Sequence, residues 1–228
     1  MKRILLTGVV VAFLSSALPS TASPITVVGW PAVEADGNCF PFGCGYSGEY
    51  QQVYSKNVFT GPITIIGLEF YNTATNDGAS FMNSGNWTIA LSTTARDWDT
   101  LSSTFGANIG ADNSTVFSGN LSRPWAFGDT LTIDFTTPFT YDPAYGNLLM
   151  DVLVTGATDA NGHIWFDASA GNTTMGRTYN AGNTDSGYGL VTGFESSDPT
   201  VVPEPASLLL LGTGLIGLVG RAWRKRRQ

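Results

Sequence analysis

The chain has 228 residues, of which 13% are charged and 27 are glycine, whereas about 25% charge is usual in a soluble domain. That composition excludes a helical bundle, which needs Glu, Lys, Ala and Leu at helical spacing. It suits short strands joined by many turns. The net charge of −7 hides an asymmetry: between Arg3 and Arg221 the four basic residues Lys56, Arg96, Arg123 and Arg177 face all 18 acids, a net of −14. Such a field repels phosphate backbones and argues against a nucleic-acid partner.

Residues 1–22 read as a secretory signal peptide. Lys2 and Arg3 form a basic start, Ile4 to Leu14 an apolar stretch, and Pro19-Ser20-Thr21-Ala22 supplies small residues for cleavage after Ala22. Export implies the secretion translocon as a partner and an oxidising compartment. There the two cysteines, Cys39 and Cys44, are expected to close a small disulfide loop around Phe40-Pro41-Phe42-Gly43. Two cysteines supply too few ligands for a structural zinc site.

Residues 23–195 read as an all-β passenger domain. Ile63 to Phe70 is strand-like, with a phase shift beside Gly67 that predicts a β-bulge. Trp87-Thr88-Ile89-Ala90-Leu91-Ser92 and Leu131-Thr132-Ile133-Asp134-Phe135 alternate with period 2. Leu148 to Val154 is apolar except for Asp151 and predicts a central strand covered on both faces. Tyr188, Leu190, Thr192 and Phe194 form one more alternating face. Tyr50 to Tyr54, Thr115 to Ser118 and His163 to Phe166 are weaker strand candidates. Turn-rich connections and no amphipathic helix point to an antiparallel β-sandwich or jelly roll.

Residues 196–202 form a polar linker into Pro203-Glu204-Pro205. The stretch from Ala206 to Gly220 carries no charge, and Arg221, Arg224, Lys225, Arg226 and Arg227 close the chain with Trp223 among them. A core helix cannot carry five cations at its end. A short transmembrane helix over about 206–223, anchored by Trp223 and by cytoplasmic arginines, accommodates them and predicts an N-out, C-in single span. The order of Pro-Glu-Pro, a Leu-rich Gly-spaced span and an Arg-rich end over about 201–228 resembles the PEP-CTERM sorting signal. That resemblance implies a Gram-negative host, handling by an exosortase-type transpeptidase at Pro203, Glu204 and Pro205, and delivery to the cell envelope or the extracellular polysaccharide matrix. Tyr50-Gln51-Gln52-Val53-Tyr54, Gly61-Pro62-Ile63-Thr64-Ile65 and Tyr141-Asp142-Pro143 with Gly146 to Val152 resemble, more loosely, passengers carried in front of such tails.

No catalytic constellation stands out. The chain has one histidine, His163, following a turn-like Asp159-Ala160-Asn161-Gly162, and it lacks HExxH, Gly-x-Ser-x-Gly and nucleotide-binding loops. Asp97 and Asp99 flank Trp98, a spacing too common to mark a glycosidase pair. No cofactor is expected, although Asn72 to Gly78 and Asp159 to Gly162 leave room for a structural calcium without matching an EF-hand. Trp87 and Trp165 sit in strand-like patterns and are expected in the core. Trp98 and Trp125 lie in loop-like contexts and are the expected sugar-stacking residues. The sequence thus predicts a non-enzymatic surface or matrix protein, with a polysaccharide-binding module and a secreted hydrolase as alternatives.

Overall fold

Residues 23–29, 37–74, 80–158 and 164–197 are described in the computed structural model of the chain. Strand formation follows the alternation read from the sequence. Strands β1 (Ile25–Val28), β2 (Gly48–Tyr54), β3 (Ile63–Tyr71), the short β4 (Ser80–Phe81) and β5 (Ser84–Thr94) come first. They are followed by β6 (Ser114–Gly119), β7 (Pro124–Trp125), β8 (Thr130–Tyr141) and β9 (Asn147–Thr158). The last five are β10 (Ala168–Ser169), β11 (Met175–Tyr179), β12 (Asn183–Ser186), β13 (Gly189–Leu190) and β14 (Thr192–Ser196). The only helical pieces among the described residues are two single 3-10 turns, at Lys56–Val58 and Phe105–Ala107. None of these is long and apolar enough to cross a membrane, and the span expected near 206–223 lies outside the described residues.

Every strand pair is antiparallel. A four-stranded sheet runs β1-β14-β3-β8, and a six-stranded sheet runs β12-β11-β2-β9-β5-β6. β2 pairs with β9, β3 with β8 and β5 with β6, and these nested pairs alternate between the two sheets. The chain therefore wraps as a doubled strand. As predicted, β9 is central, flanked by β2 and β5, but it is covered on both faces only in its first half: Leu153 is 47% exposed. The register of β3 against β8 shifts between Ile65 and Gly67, where the sequence placed a bulge.

One core fills the space between the sheets. β3 and β14 contribute Ile65, Leu68, Phe70 and Phe194, and β5 and β9 contribute Trp87, Ile89, Leu91, Met150 and Val152, all fully buried. Burying each such side chain contributes about 1.5–3 kcal/mol. Aromatic edges join the sheets: Tyr54 of β2 meets Phe194 of β14 at 4.8 Å, and Phe59 bridges Phe194 and Tyr141 at 5.5 and 5.0 Å. Buried polar side chains at the centre of the core are paired, as burial demands. Tyr50 Oη donates to Gln52 Oε1 at 2.6 Å, Gln52 Nε2 to the Leu190 carbonyl at 2.9 Å, and Leu190 N returns a bond to Gln52 Oε1 at 2.8 Å. Gln52 thereby ties the large sheet to β13.

Two expectations are corrected. His163 to Phe166 is not a strand: within its described part, Phe166 makes only an isolated bridge with Asn38, through bonds of 2.9 and 3.0 Å. The alternating face of Tyr188, Leu190, Thr192 and Phe194 is divided between β13 and β14. Val191 breaks it by donating its amide to the Asp167 carbonyl at 2.9 Å, although Leu190, Thr192 and Phe194 all remain buried.

Candidate functional site

Cys39 and Cys44 are joined in a disulfide, with their Cα atoms 5.2 Å apart. The loop they close packs inward. Phe42 is fully buried against Phe70 and Phe166, at ring distances of 4.9 and 5.6 Å, and the Pro41 carbonyl accepts from Trp87 Nε1 at 3.3 Å. The Gly43 carbonyl accepts from Ile164 N at 3.0 Å. This loop is a plug over the core rather than an exposed hook.

Part of the outer face of the six-stranded sheet is covered as well, by residues 95–113, whereas Leu153 further along β9 is exposed. Gln51 Nε2 donates to the Phe105 carbonyl at 3.3 Å, Asn108 Nδ2 to Gln51 Oε1 at 2.9 Å, and Gly110 N to Ser92 Oγ at 3.1 Å. Thr178 Oγ1 reaches the Ser102 carbonyl at 3.3 Å. The Trp98 carbonyl sits so close to Gly176 that a Cβ there would collide with it. Gln51, Val53, Ser92, Leu149 and Thr178 are buried for this reason. The adjacent glutamines Gln51 and Gln52 thus have opposite duties, one holding the cover and the other the core.

At the margin of that cover lies a carboxyl pair that the sequence did not reveal. Glu49 of β2 and Asp151 of β9 share a side-chain hydrogen bond, and Gln51 Nε2 lies 3.3 Å from Glu49 Oε1. Burial, with the Asp151 charge beside it, pushes the Glu49 carboxyl up to about 7. Burial raises Asp151 as well, and its Oδ1 is buried without a partner. The pair sits on neighbouring strands two positions apart in register, and no sequence spacing signals it. On the outer face of the other sheet, burial and the nearby Glu69 and Asp134 raise Glu195.

A polar cavity of about 270 Å³ opens where β2 and β5 end and β9 begins, with Lys56, Asn57, Thr94, Asp97, Gly146 and Asn147 in its wall. Asn147 holds two walls together: its Oδ1 accepts from Lys56 N at 2.8 Å and its Nδ2 donates to the Arg96 carbonyl at 2.7 Å. Asp97 Oδ1 accepts from Trp98 N at 2.8 Å. The side chains of Lys56 and Asn57 bond to no other described residue, the one salt bridge among the described residues being Arg177 to Asp185 at 2.7 Å. Tyr145, in the turn that delivers Gly146 to this wall, is 83% exposed.

The two tryptophans expected at the surface divide. Trp98 is half-buried. Trp125 is a correction: it is 2% exposed, lies against the Phe166 ring at 4.6 Å and donates Nε1 to the Trp165 carbonyl at 3.0 Å, so neither of its faces is open to a sugar. Its Arg-Pro-Trp context looks loop-like, but the two-residue strand β7 pairs with β4 and folds the indole over the core edge. Trp87 is fully buried as expected, whereas Trp165 is half-buried. Asp97 lines the cavity and Asp99 is exposed, so the cavity wall takes one of the two. Asn72 is buried at the rim of one calcium-candidate turn, and Asp167 is committed to Thr73 N, Thr73 Oγ1 and Ala74 N at 2.8, 2.6 and 2.8 Å. The rest of that turn, Asn76-Asp77-Gly78, lies outside the described residues, as do His163 and Asp159 to Gly162. Ala22 and Pro203, Glu204 and Pro205 lie outside them too.

The two ends of the described domain emerge together. Ser196 N donates to the Pro24 carbonyl at 3.0 Å and Ser197 N to the Thr64 carbonyl at 3.0 Å. Five residues then separate Ser197 from Pro203, a reach of at most about 20 Å. An antiparallel all-β domain with a sorting tail set this close behind its last strand defines an exported, envelope-associated class of protein. Residues 201–227 match the PEP-CTERM protein-sorting motif, so the chain is a substrate for exosortase-type sorting. No curated protein matches the chain.

Proposed function

We propose that the passenger is a structural or adhesive component of the cell surface or extracellular matrix of a Gram-negative bacterium, without catalytic activity of its own. In this reading residues 1–22 are removed after Ala22, and 23–195 act as a β-sandwich with jelly-roll-like wrapping. Residues 196–202 are the linker. Residues 203–228 anchor the precursor N-out, C-in through a helix at about 206–223 until the tail is processed at Pro203-Glu204-Pro205. The observation that carries the proposal is the sorting motif at 201–227, set directly behind the last strand. The nested pairing of β2 with β9, β3 with β8 and β5 with β6 supports the jelly-roll wrapping.

The test is the intact mass of the protein recovered from the envelope and matrix fractions of its native host, wild type beside Glu204→Ala. Loss of residues 1–22 and of the tail in wild type, with the tail retained in the variant, is the expected result. A tail retained in wild type overturns the matrix destination and leaves a permanently anchored single-span protein. A second reading, binding of extracellular polysaccharide, is favoured by the exposed Tyr145 beside the polar cavity of about 270 Å³.

A further inference from the structure

We infer that the cavity at the ends of β2 and β5, next to the turn that carries Tyr145, is a subsite for one neutral sugar residue of an extracellular polysaccharide. The inference deepens the second reading above and rests on it.

Three observations converge. First, the volume of about 270 Å³ is at the small end for ligand sites, suited to a single ring rather than a drug-sized molecule. Second, its wall offers donors and acceptors in balance. The Lys56 ammonium and Asn57 amide are uncommitted, and the Asp97 carboxylate spends one oxygen on Trp98 N and leaves the other without a partner among the described residues. A sugar hydroxyl both donates and accepts, so a wall of mixed sign matches it, whereas a wall of one sign would select an ion. Asn147, tied on both sides to backbone, holds Lys56 and the Arg96–Asp97 segment at fixed spacing without a ligand present, and such preorganisation favours binding. Third, Tyr145 is more exposed than any other large apolar or aromatic side chain among the described residues. It stands in a turn fixed by Asp142, whose carbonyl accepts from Tyr145 N at 3.1 Å and whose Oδ1 accepts from Ala144 N at 2.9 Å. Its neighbour Gly146 lines the cavity, and an exposed aromatic ring one residue from a polar wall complements a sugar, which has an apolar C–H side and a hydroxyl side.

The choice of a neutral sugar follows from charge. Lys56 and Asp97 cancel within the cavity, and the net of −14 on the chain between its basic ends repels a polyanion such as a uronic-acid chain.

The test is isothermal titration of the full-length mature protein, purified in mild detergent, with three probes. These are the native host's extracellular polysaccharide, a neutral glucan oligosaccharide series and a polygalacturonate series. Wild type is compared with Tyr145→Ala, with the double variant Asn57→Ala/Tyr145→Ala, and with Arg123→Gln as a distant charge control. The expected result is binding of the host polysaccharide and at least one neutral series, weakened about tenfold or more in Tyr145→Ala and abolished in the double variant, with Arg123→Gln unchanged. Both substituted side chains are exposed, so retained circular dichroism and unfolding midpoint separate lost binding from lost fold. No binding to any probe, equal binding in the double variant, or preference for polygalacturonate each overturns the inference. Fractionation keeps the two claims separate: a double variant that loses binding but still reaches the matrix supports this site, and a wild type that reaches the matrix without binding any probe removes the site alone.

Discussion

Replacing Glu49 by Gln should flatten the pH dependence of stability between about pH 5 and 8. Glu49 titrates near its ordinary value of 4.5 in the unfolded chain and near 7 in the folded one, because burial and the Asp151 charge disfavour its anion. Between those values the folded state holds a proton that the unfolded state has released. Stability is therefore greatest below about pH 4.5 with respect to this group, and it falls as pH rises through 7. The full displacement corresponds to roughly 3 kcal/mol. Glu49 is only half-buried, and solvent screening cuts that to about 1 kcal/mol. The assay is denaturant unfolding of the mature protein by tryptophan fluorescence at pH 5, 6, 7 and 8. Wild type should lose about 1 kcal/mol across the series, whereas Glu49→Gln, which keeps a donor for Asp151, should lose less than half of that. A wild-type slope that survives unchanged in both Glu49→Gln and Asp151→Asn would refute the assignment of a shared proton to this pair.

Two further outcomes follow from the packing. Trp125→Ala should cost about 3–5 kcal/mol, since it removes a buried indole and its hydrogen bond to the Trp165 carbonyl; the half-buried Trp98→Ala should cost clearly less in the same unfolding assay. Converting Cys39 and Cys44 together to Ser should cost about 2 kcal/mol, the loop-closure value for so short a loop. A comparison of wild type with and without reductant should reproduce that difference.

How much was legible in advance depended on the range of the interaction concerned. Local alternation exposed the strands around Trp87 and Ile133, and a continuous apolar run the one at Leu148, because neither pattern needs knowledge of the partner strand. The bulge beside Gly67 was legible for the same reason, as a break in phase. Short strands such as β7, β10 and β13 were not, because two residues carry no period and their pairing is set by what lies opposite. Trp125 was misplaced on that account: its neighbours in sequence are a turn, but its neighbours in space are Phe166 and Trp165.

The terminal signals belong to the sequence alone. A sorting tail is read by a membrane and an enzyme through hydrophobicity, charge and the Pro-Glu-Pro order, which are properties of a linear segment. The candidate binding features arise in the opposite way. Lys56 follows β2, Asp97 follows β5 and Asn147 opens β9, and they converge only because these strands are neighbours that meet at the same pole of the sheet. Glu49 meets Asp151 only because β2 and β9 pair in one register. Destination was written in the order of residues; the cavity, the shared proton and the burial of Trp125 were decided by strand pairing, which joins residues that no local pattern connects.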